Sequence, residues 1–202
     1  IIECAPDMIV LTGDLVDSNH TNVDRAVQFV DEIVKICPVY YVTGNHEYWL
    51  DTSEYEKLMD GLASVGVIIL DDQVVEISRG DAKFRLVGLD EKSLADGTLE
   101  ALLSDEKELT VVLAHEPQYL ARYAGTGVDL VLSGHAHGGQ FRLPFVGGIV
   151  APDQGFLPEY TAGEYYMNGT EMIVSRGLGN SVIPVRLFNY PEIVCVELVG
   201  MH

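Results

Sequence analysis

Val128-Asp129-Leu130-Val131-Leu132-Ser133-Gly134-His135-Ala136-His137 joins a short apolar run to a turn that carries two histidines two positions apart. The run reads as a buried strand that stops at Gly134. Three further runs share this design. Met8-Ile9-Val10-Leu11-Thr12 leads into Gly13-Asp14, Val39-Tyr40-Tyr41-Val42-Thr43 into Gly44-Asn45-His46-Glu47, and Thr110-Val111-Val112-Leu113-Ala114 into His115-Glu116. In open α/β sheets, sites form beyond the carboxyl ends of strands, where loops converge. Four strand ends that deliver Asp14, Asn45, His115, His135 and His137 therefore predict one shared site.

The chain between these runs fits an α/β architecture. Val23 to Ile36 places Val23, Ala26, Val27, Val30, Ile33 and Val34 at helical spacing, with Pro38 just beyond. Ser53 to Val65 predicts a second helix with Ser53 as N-cap. Short helices are expected over 98–103 and 117–123, the latter opened by Pro117. Strands are expected over 67–70, 74–77 and 84–89. Near the end, 165–167 and 171–175 flank Asn168-Gly169, a strong hairpin signal, and Ile193 to Val199 reads as a closing strand. Alternation early and strands late predict an α/β sandwich with mixed sheets. Ile1-Ile2-Glu3 reads as the tail of a helix, so the 202 residues are expected to be one domain that begins within its fold.

Composition narrows the partners. The chain has a formal net charge of −19. Such a surface repels nucleic-acid phosphates and anionic lipid headgroups, so no large nucleic acid is expected as partner. Most of this charge is read as solvated surface. Cys4, Cys37 and Cys195 are far apart, odd in number and outside any C-x-x-C pattern. They are expected to be buried, inert thiols rather than a disulfide framework or thiolate metal site.

The candidate ligands are nitrogen and oxygen only. That set suits Mn, Fe, Zn, Co or Ni. Imidazoles argue against Mg and Ca, whose preferred shells are all oxygen.

Gly13-Asp14-Leu15-Val16-Asp17 resembles the G-D-x-x-D block of calcineurin-like phosphoesterases, and Gly44-Asn45-His46-Glu47 resembles their G-N-H-[DE] block. His115 and Gly134-His135-Ala136-His137 resemble the isolated His and G-H-x-H blocks, in family order. The resemblance covers nearly the whole chain. Leu132 to Gln140, Ser175 to Gly179 and Phe188 to Glu192 are similar to a bacterial branch that includes cell-wall-associated and lipid-sugar phosphodiesterases.

The resemblance implies the metallo-dependent phosphatase fold, an αββα sandwich with two mixed sheets flanked by helices. It implies metal-activated hydroxide attacking a phosphoester in line. Asp14 would bridge two metals, Asn45, His115 and His135 would complete one shell, and His137 would bind the other ion. His46 would sit off the metals as proton donor or charge stabiliser. The family's D-x-H block, which supplies an Asp and a His to the second metal, is found nowhere in this chain. By family order it would precede Ile1, so the first strand of the fold is expected to be missing. One ion is then expected to be held firmly and the other weakly. A sheet edge exposed beside residues 8–12 is expected to favour self-association. The rival reading is a catalytically impaired member of this fold that serves as a binding scaffold; retention of His46 favours the enzyme. The branch suggests a lipid- or nucleotide-sugar-linked phosphoester as substrate and a bacterial membrane-associated or exported setting.

Neighbouring residues receive plainer readings. His20 and His202 are read as ordinary surface or core histidines. Asp17 is read as a partner behind the ligands. Glu47 orients His46 or contacts a helix N-terminus. Glu116 and Gln118 shape their loop, and Gly138, Gly139 and Gln140 either line the pocket or turn the chain. Arg176 is read as a phosphate contact or a structural arginine. For Tyr48 and Trp49, core packing is preferred over an apolar wall for substrate.

Overall fold

The computed structural model describes residues 1–103, 108–179 and 185–199. His202 lies outside them. Strands β1 (Ile9–Thr12), β2 (Val39–Val42) and β3 (Ile68–Ile69) make a parallel three-stranded sheet in that order. A second sheet runs β12 (Gly163–Met167), β13 (Thr170–Val174), β7 (Leu130–Ser133), β6 (Thr110–Leu113), β5 (Ala82–Gly88), β4 (Gln73–Arg79). Its four central strands are parallel, and β12 and β4 close its edges antiparallel. Helices α1 (Val23–Ile33) and α3 (Thr52–Ser64) cover the first sheet, and α4 (Thr98–Leu102) and α5 (Leu120–Gly125) the second. The single-turn helix α2 (Asn45–Tyr48) follows β2.

Side-chain alternation builds these layers. In β2, Val39 and Tyr41 pack with Val30, Leu58 and Leu62 of α1 and α3. Tyr40 and Val42 turn the other way, to Leu86, Val111, Leu113 and Leu130 between the sheets. In the second sheet Val112, Val131, Met172 and Val174 face Leu99, Leu120 and Tyr123 of the outer helices. Strands β2 and β6 are buried on both faces, which is why they read as unbroken apolar runs. The expected sandwich of two sheets between helices is the fold observed.

Local signals explain the helix starts. The Asn22 side chain accepts the Arg25 N–H and caps α1, whose buried stripe is Val23, Ala26, Val30 and Ile33. The cap of α3 lies two residues before the expected one. Asp51 caps it by accepting the Glu54 N–H at 3.0 Å, and Ser53 instead donates its hydroxyl to Asp51.

Two expectations fail at the chain ends. Residues 193–199 form no strand, and Ile193, Val194, Val196, Leu198 and Val199 are exposed. β-propensity marks a segment that suits a ladder, but no described strand offers one here. Cys4 and Cys195 are joined in a disulfide, and Cys37 alone is free. A separation of 191 residues carries no spacing signal, so only the folded chain brings this pair together. Ile2–Cys4 forms a 3-10 turn. β1 is the outer strand of its sheet, paired on one side with β2 through Ile9↔Val39 to Thr12↔Val42. Among the described residues no helix is long and apolar enough to cross a membrane.

Candidate metal centre

β1, β2, β6 and β7 end on one side of the sandwich, and their turns meet. The turns are tight enough to restrict sequence. Gly13 has φ +89°, and a Cβ there would stand 2.6 Å from the Gly44 nitrogen and His115 Nδ1. A Cβ on Gly44 would stand 2.5 Å from Asp14 Oδ1 and 2.8 Å from His115 Cε1. Asp14, His135 and His137 themselves take left-handed φ of 53°, 61° and 48°. Such values strain a residue with a Cβ, and they aim these side chains away from the run of their strands.

Four ligand-type atoms converge there. His115 Nδ1–H donates to the Thr12 carbonyl at 2.6 Å, so in the neutral ring Nε2 carries the lone pair. That Nε2 lies 3.1 Å from Asn45 Oδ1, 3.2 Å from Asp14 Oδ2 and 3.0 Å from His135 Nδ1. His135 Nδ1 is also 2.9 Å from Asn45 Oδ1. On its far side, His135 Nε2 meets Asp153 Oδ2 at 2.9 Å and Glu116 Oε1 at 3.7 Å. Each ring thus has its outer nitrogen held by an oxygen and its inner nitrogen aimed into the cluster, the pattern of metal-binding histidines. Asp14 Oδ2 is buried with no hydrogen-bond partner. An orphaned carboxylate oxygen beside three electron-pair donors is what a cation would satisfy, so these residues fit a metal ion.

The electrostatics agree. Burial alone would raise Asp14, but the His115 charge beside it and the His46 contacts hold its carboxyl well below the usual range. Burial opposes a charge on His115, yet Asp14 outweighs it and the imidazole is pushed up to about 9. His135 is pushed down to about 4 by burial and the neighbouring His115 charge. His137 is pushed down to about 4, chiefly by burial. Without a cation, a proton on His115 takes its place.

Of the residues expected at the site, Asp14, Asn45, His115 and His135 come together. Asp14, His115 and His135 offer ligand atoms within 4.8 Å of one another. His137 stands beside this group and outside it. His137 nevertheless feels the charges of Asp14, His135 and His115.

His46 is buried just behind Asp14. Its own backbone N–H donates to Asp14 Oδ1 at 3.0 Å, and its ring lies 4.8 Å from that of Trp49. The Ser18 N–H donates to His46 Nδ1 at 3.1 Å, which assigns the neutral ring's proton to Nε2. Asp17 Oδ1 is 3.6 Å from the same Nδ1 and accepts the Asn19 N–H at 2.8 Å, so it lies behind His46 rather than behind a ligand. Trp49 is 61% exposed, so core packing is not its role. Glu47 does not orient His46. Its buried carboxylate accepts N–H groups from Gly44, Asp14 and Leu15 at 2.7, 2.9 and 2.8 Å, clasping two of the four turns together. Burial and the nearby Asp14 push it up to about 7, against the pull of those donors.

Two carboxylates escaped the sequence reading. Asp153 sits in the turn between β10 (Val150–Ala151) and β11 (Gly155–Phe156), and no motif marks it. Its left-handed φ of 55° is visible only in the fold. Glu91 is pushed up to about 9 by burial, with Glu116 adding and His115 opposing. Arg176 is neither exposed nor bare: its Nε pairs with Glu192 at 3.2 Å. Gly138 and Gly139 form a turn whose carbonyls are bonded by neighbouring segments, and Gln140 Nε2 donates to the Val185 carbonyl at 2.7 Å.

Comparison with known proteins agrees with this geometry. Residues 1–139 match the family described as calcineurin-like phosphoesterase. The chain is 33% identical over 208 residues to the uncharacterized metallophosphoesterase YkuE of Bacillus subtilis, covering 98% of this chain and 70% of that protein. It is 32% identical over 200 residues to the phosphodiesterase YaeI of Escherichia coli, covering 98% of this chain and 72% of that protein. The sulfate thiohydrolase SoxB of Thermus thermophilus superposes with a TM-score of 0.54 at 16% identity, over 83% of this chain and 33% of that one. That last likeness is one of fold.

Proposed function

This chain belongs to the calcineurin-like phosphoesterase family, and from that membership we propose that it is a metal-dependent phosphodiesterase acting at the Asp14–Asn45–His115–His135 centre. The observation that carries the reading is the convergence of His115 Nε2, His135 Nδ1, Asn45 Oδ1 and the orphaned Asp14 Oδ2. A divalent transition metal held by these atoms supplies Lewis acidity toward a phosphoryl oxygen and makes water acidic enough to ionise near neutral pH.

The chain's own residues do the rest. Thr12 and Asp153 hold the two imidazoles in the tautomers that point lone pairs inward. Glu47 ties the Asp14 and Asn45 turns into one rigid floor. His46, with Nδ1 accepting from Ser18, keeps its N–H on Nε2, and its role in this reading is to stabilise charge on the leaving oxygen by a hydrogen bond from that N–H. His137, beside this group, would be a donor for a second ion.

The test is hydrolysis of bis(p-nitrophenyl) phosphate by chelator-treated protein, with Mn, Fe, Zn, Co or Ni returned one at a time. Uptake of one of these ions together with restored turnover supports the reading. Turnover that survives chelation, or protein that takes up none of these ions, rejects it. The scaffold alternative predicts metal uptake with no hydrolysis of any phosphoester offered.

A further inference from the structure

Only twelve residues of this chain are basic, against thirty-one acidic ones. Three of the twelve gather beside the metal centre. Arg142 Nη1 donates to the Gly138 carbonyl at 2.8 Å, next to His137. Asn189 Nδ2 donates to the His137 carbonyl at 2.7 Å, which ties the segment carrying Arg186 to the same turn. Arg186 Nη2 donates to the carbonyls of Arg176 and Gly179. Arg142 and Arg186 each feel the positive charge of Arg176, and His137 feels that of Arg186. Glu192 is the carboxylate that acts on all three, and its Oε2 is taken by Arg176 Nε at 3.2 Å.

The group therefore holds a surplus of two positive charges. Guanidiniums repel one another, and burying donors without partners is unfavourable. Arg186 Nε and Nη1 are both buried with no partner among the described residues. Nη2, which belongs to both forks of the guanidinium, is taken by the two carbonyls, so Nε–H and Nη1–H lie on different edges and each can give one charge-assisted hydrogen bond to a separate phosphoryl oxygen. Elsewhere a chain of charge −19 repels anions. Here it is arranged to receive one.

We propose that Arg142, Arg176 and Arg186 form an anion subsite next to the metal centre that takes a second phosphoryl group of the substrate. The inference rests on the hydrolase reading for the word substrate, but the anion site stands without it. It makes the preferred substrate a phosphodiester or diphosphate ester with an additional phosphate near the scissile one, rather than a diester between two neutral groups.

The test begins with calorimetric titration of inorganic phosphate into chelator-treated protein. Wild type binds, Arg186→Gln binds about tenfold more weakly, and Glu192→Gln binds more tightly because a competing carboxylate is gone. Gln at 192 can still accept the Arg176 backbone N–H through its carbonyl oxygen, so this variant keeps a structural contact while gaining affinity. A gain of binding does not come from misfolding. The metal-loaded protein is then compared on thymidine 5′-(p-nitrophenyl phosphate) with and without a 3′-phosphate. Wild type prefers the doubly phosphorylated ester in kcat/KM, and Arg186→Gln loses that preference. Phosphate binding altered as stated without hydrolysis of either ester would keep the anion site and reject the hydrolase. Phosphate binding by Glu192→Gln no tighter than wild type overturns the proposal. So does a preference for the doubly phosphorylated ester that survives in Arg186→Gln. If free phosphate binds but the 3′-phosphate earns no preference in wild type, the site is for released phosphate, and the substrate assignment falls.

Discussion

His115 Nε2 and His135 Nδ1 face each other at 3.0 Å, each ring anchored from behind, by the Thr12 carbonyl and the Asp153 carboxylate. Two imidazole lone pairs that close need a proton or a cation between them. With His115 pushed up to about 9 and His135 down to about 4, one proton resides there at neutral pH, on His115. Metal uptake must displace it. Because the folded pKa of His115 is raised, the proton is held below about pH 9 and opposes the metal more strongly as pH falls. Apparent metal affinity should rise about tenfold per pH unit between pH 6 and 8, with about one proton released per ion. Titration calorimetry in buffers of different ionisation enthalpy measures both. Affinity independent of pH would contradict the protonated pair.

Gly44→Ala should damage the site more than its size suggests. The added Cβ would fall 2.5 Å from Asp14 Oδ1 and 2.8 Å from His115 Cε1. Both atoms belong to the centre, so relief of the clash moves ligands. We expect a loss of about 1–3 kcal/mol of stability and a larger fractional loss of bound metal. Chemical denaturation and metal analysis on one preparation separate the two effects.

Glu47→Ala should leave the Gly44, Asp14 and Leu15 N–H groups without their acceptor. The expected cost is about 3–5 kcal/mol. Glu47→Gln keeps an acceptor oxygen and should fall between. Equal stability of the alanine variant and wild type in urea would show that the clasp is not needed.

His46→Ala removes a hydrogen-bond donor to the leaving oxygen without removing a ligand. Activity on a poor leaving group should fall about 10²–10⁴-fold while bound metal stays at the wild-type level. Rate loss should shrink on p-nitrophenyl esters, whose leaving group needs no proton. A variant that loses metal and keeps its turnover per ion would reassign His46 to the metal shell.

The disulfide gives a direct chemical check. Alkylation of unfolded, unreduced protein should label Cys37 alone, and reduction should add Cys4 and Cys195. Three labels before reduction would rule out the bond.

Much of the fold was legible because buried parallel strands cannot alternate apolar and polar residues. Val39 to Val42 and Thr110 to Leu113 are buried on both faces, so each shows as a short apolar run, and its end shows as the first glycine or histidine. The N-cap falls at Asp51, two residues before Ser53, because both residues suit the position and only geometry chooses between them. The segment 193–199 shows the opposite failure: strong β-propensity, yet it pairs with no described strand.

By itself the sequence determined which strand ends carry Asp14, Asn45, His46, His115 and His135, because a ligand at a strand terminus is a local pattern of letters. Only the tertiary structure decided that Asp153 backs His135, that Glu47 clasps two turns, that Cys4 meets Cys195, and that Arg142, Arg176 and Arg186 share one corner. Those relationships join residues whose separation along the chain has no preferred value. Their distances are set by how the two sheets pack, and packing is a property of the whole chain.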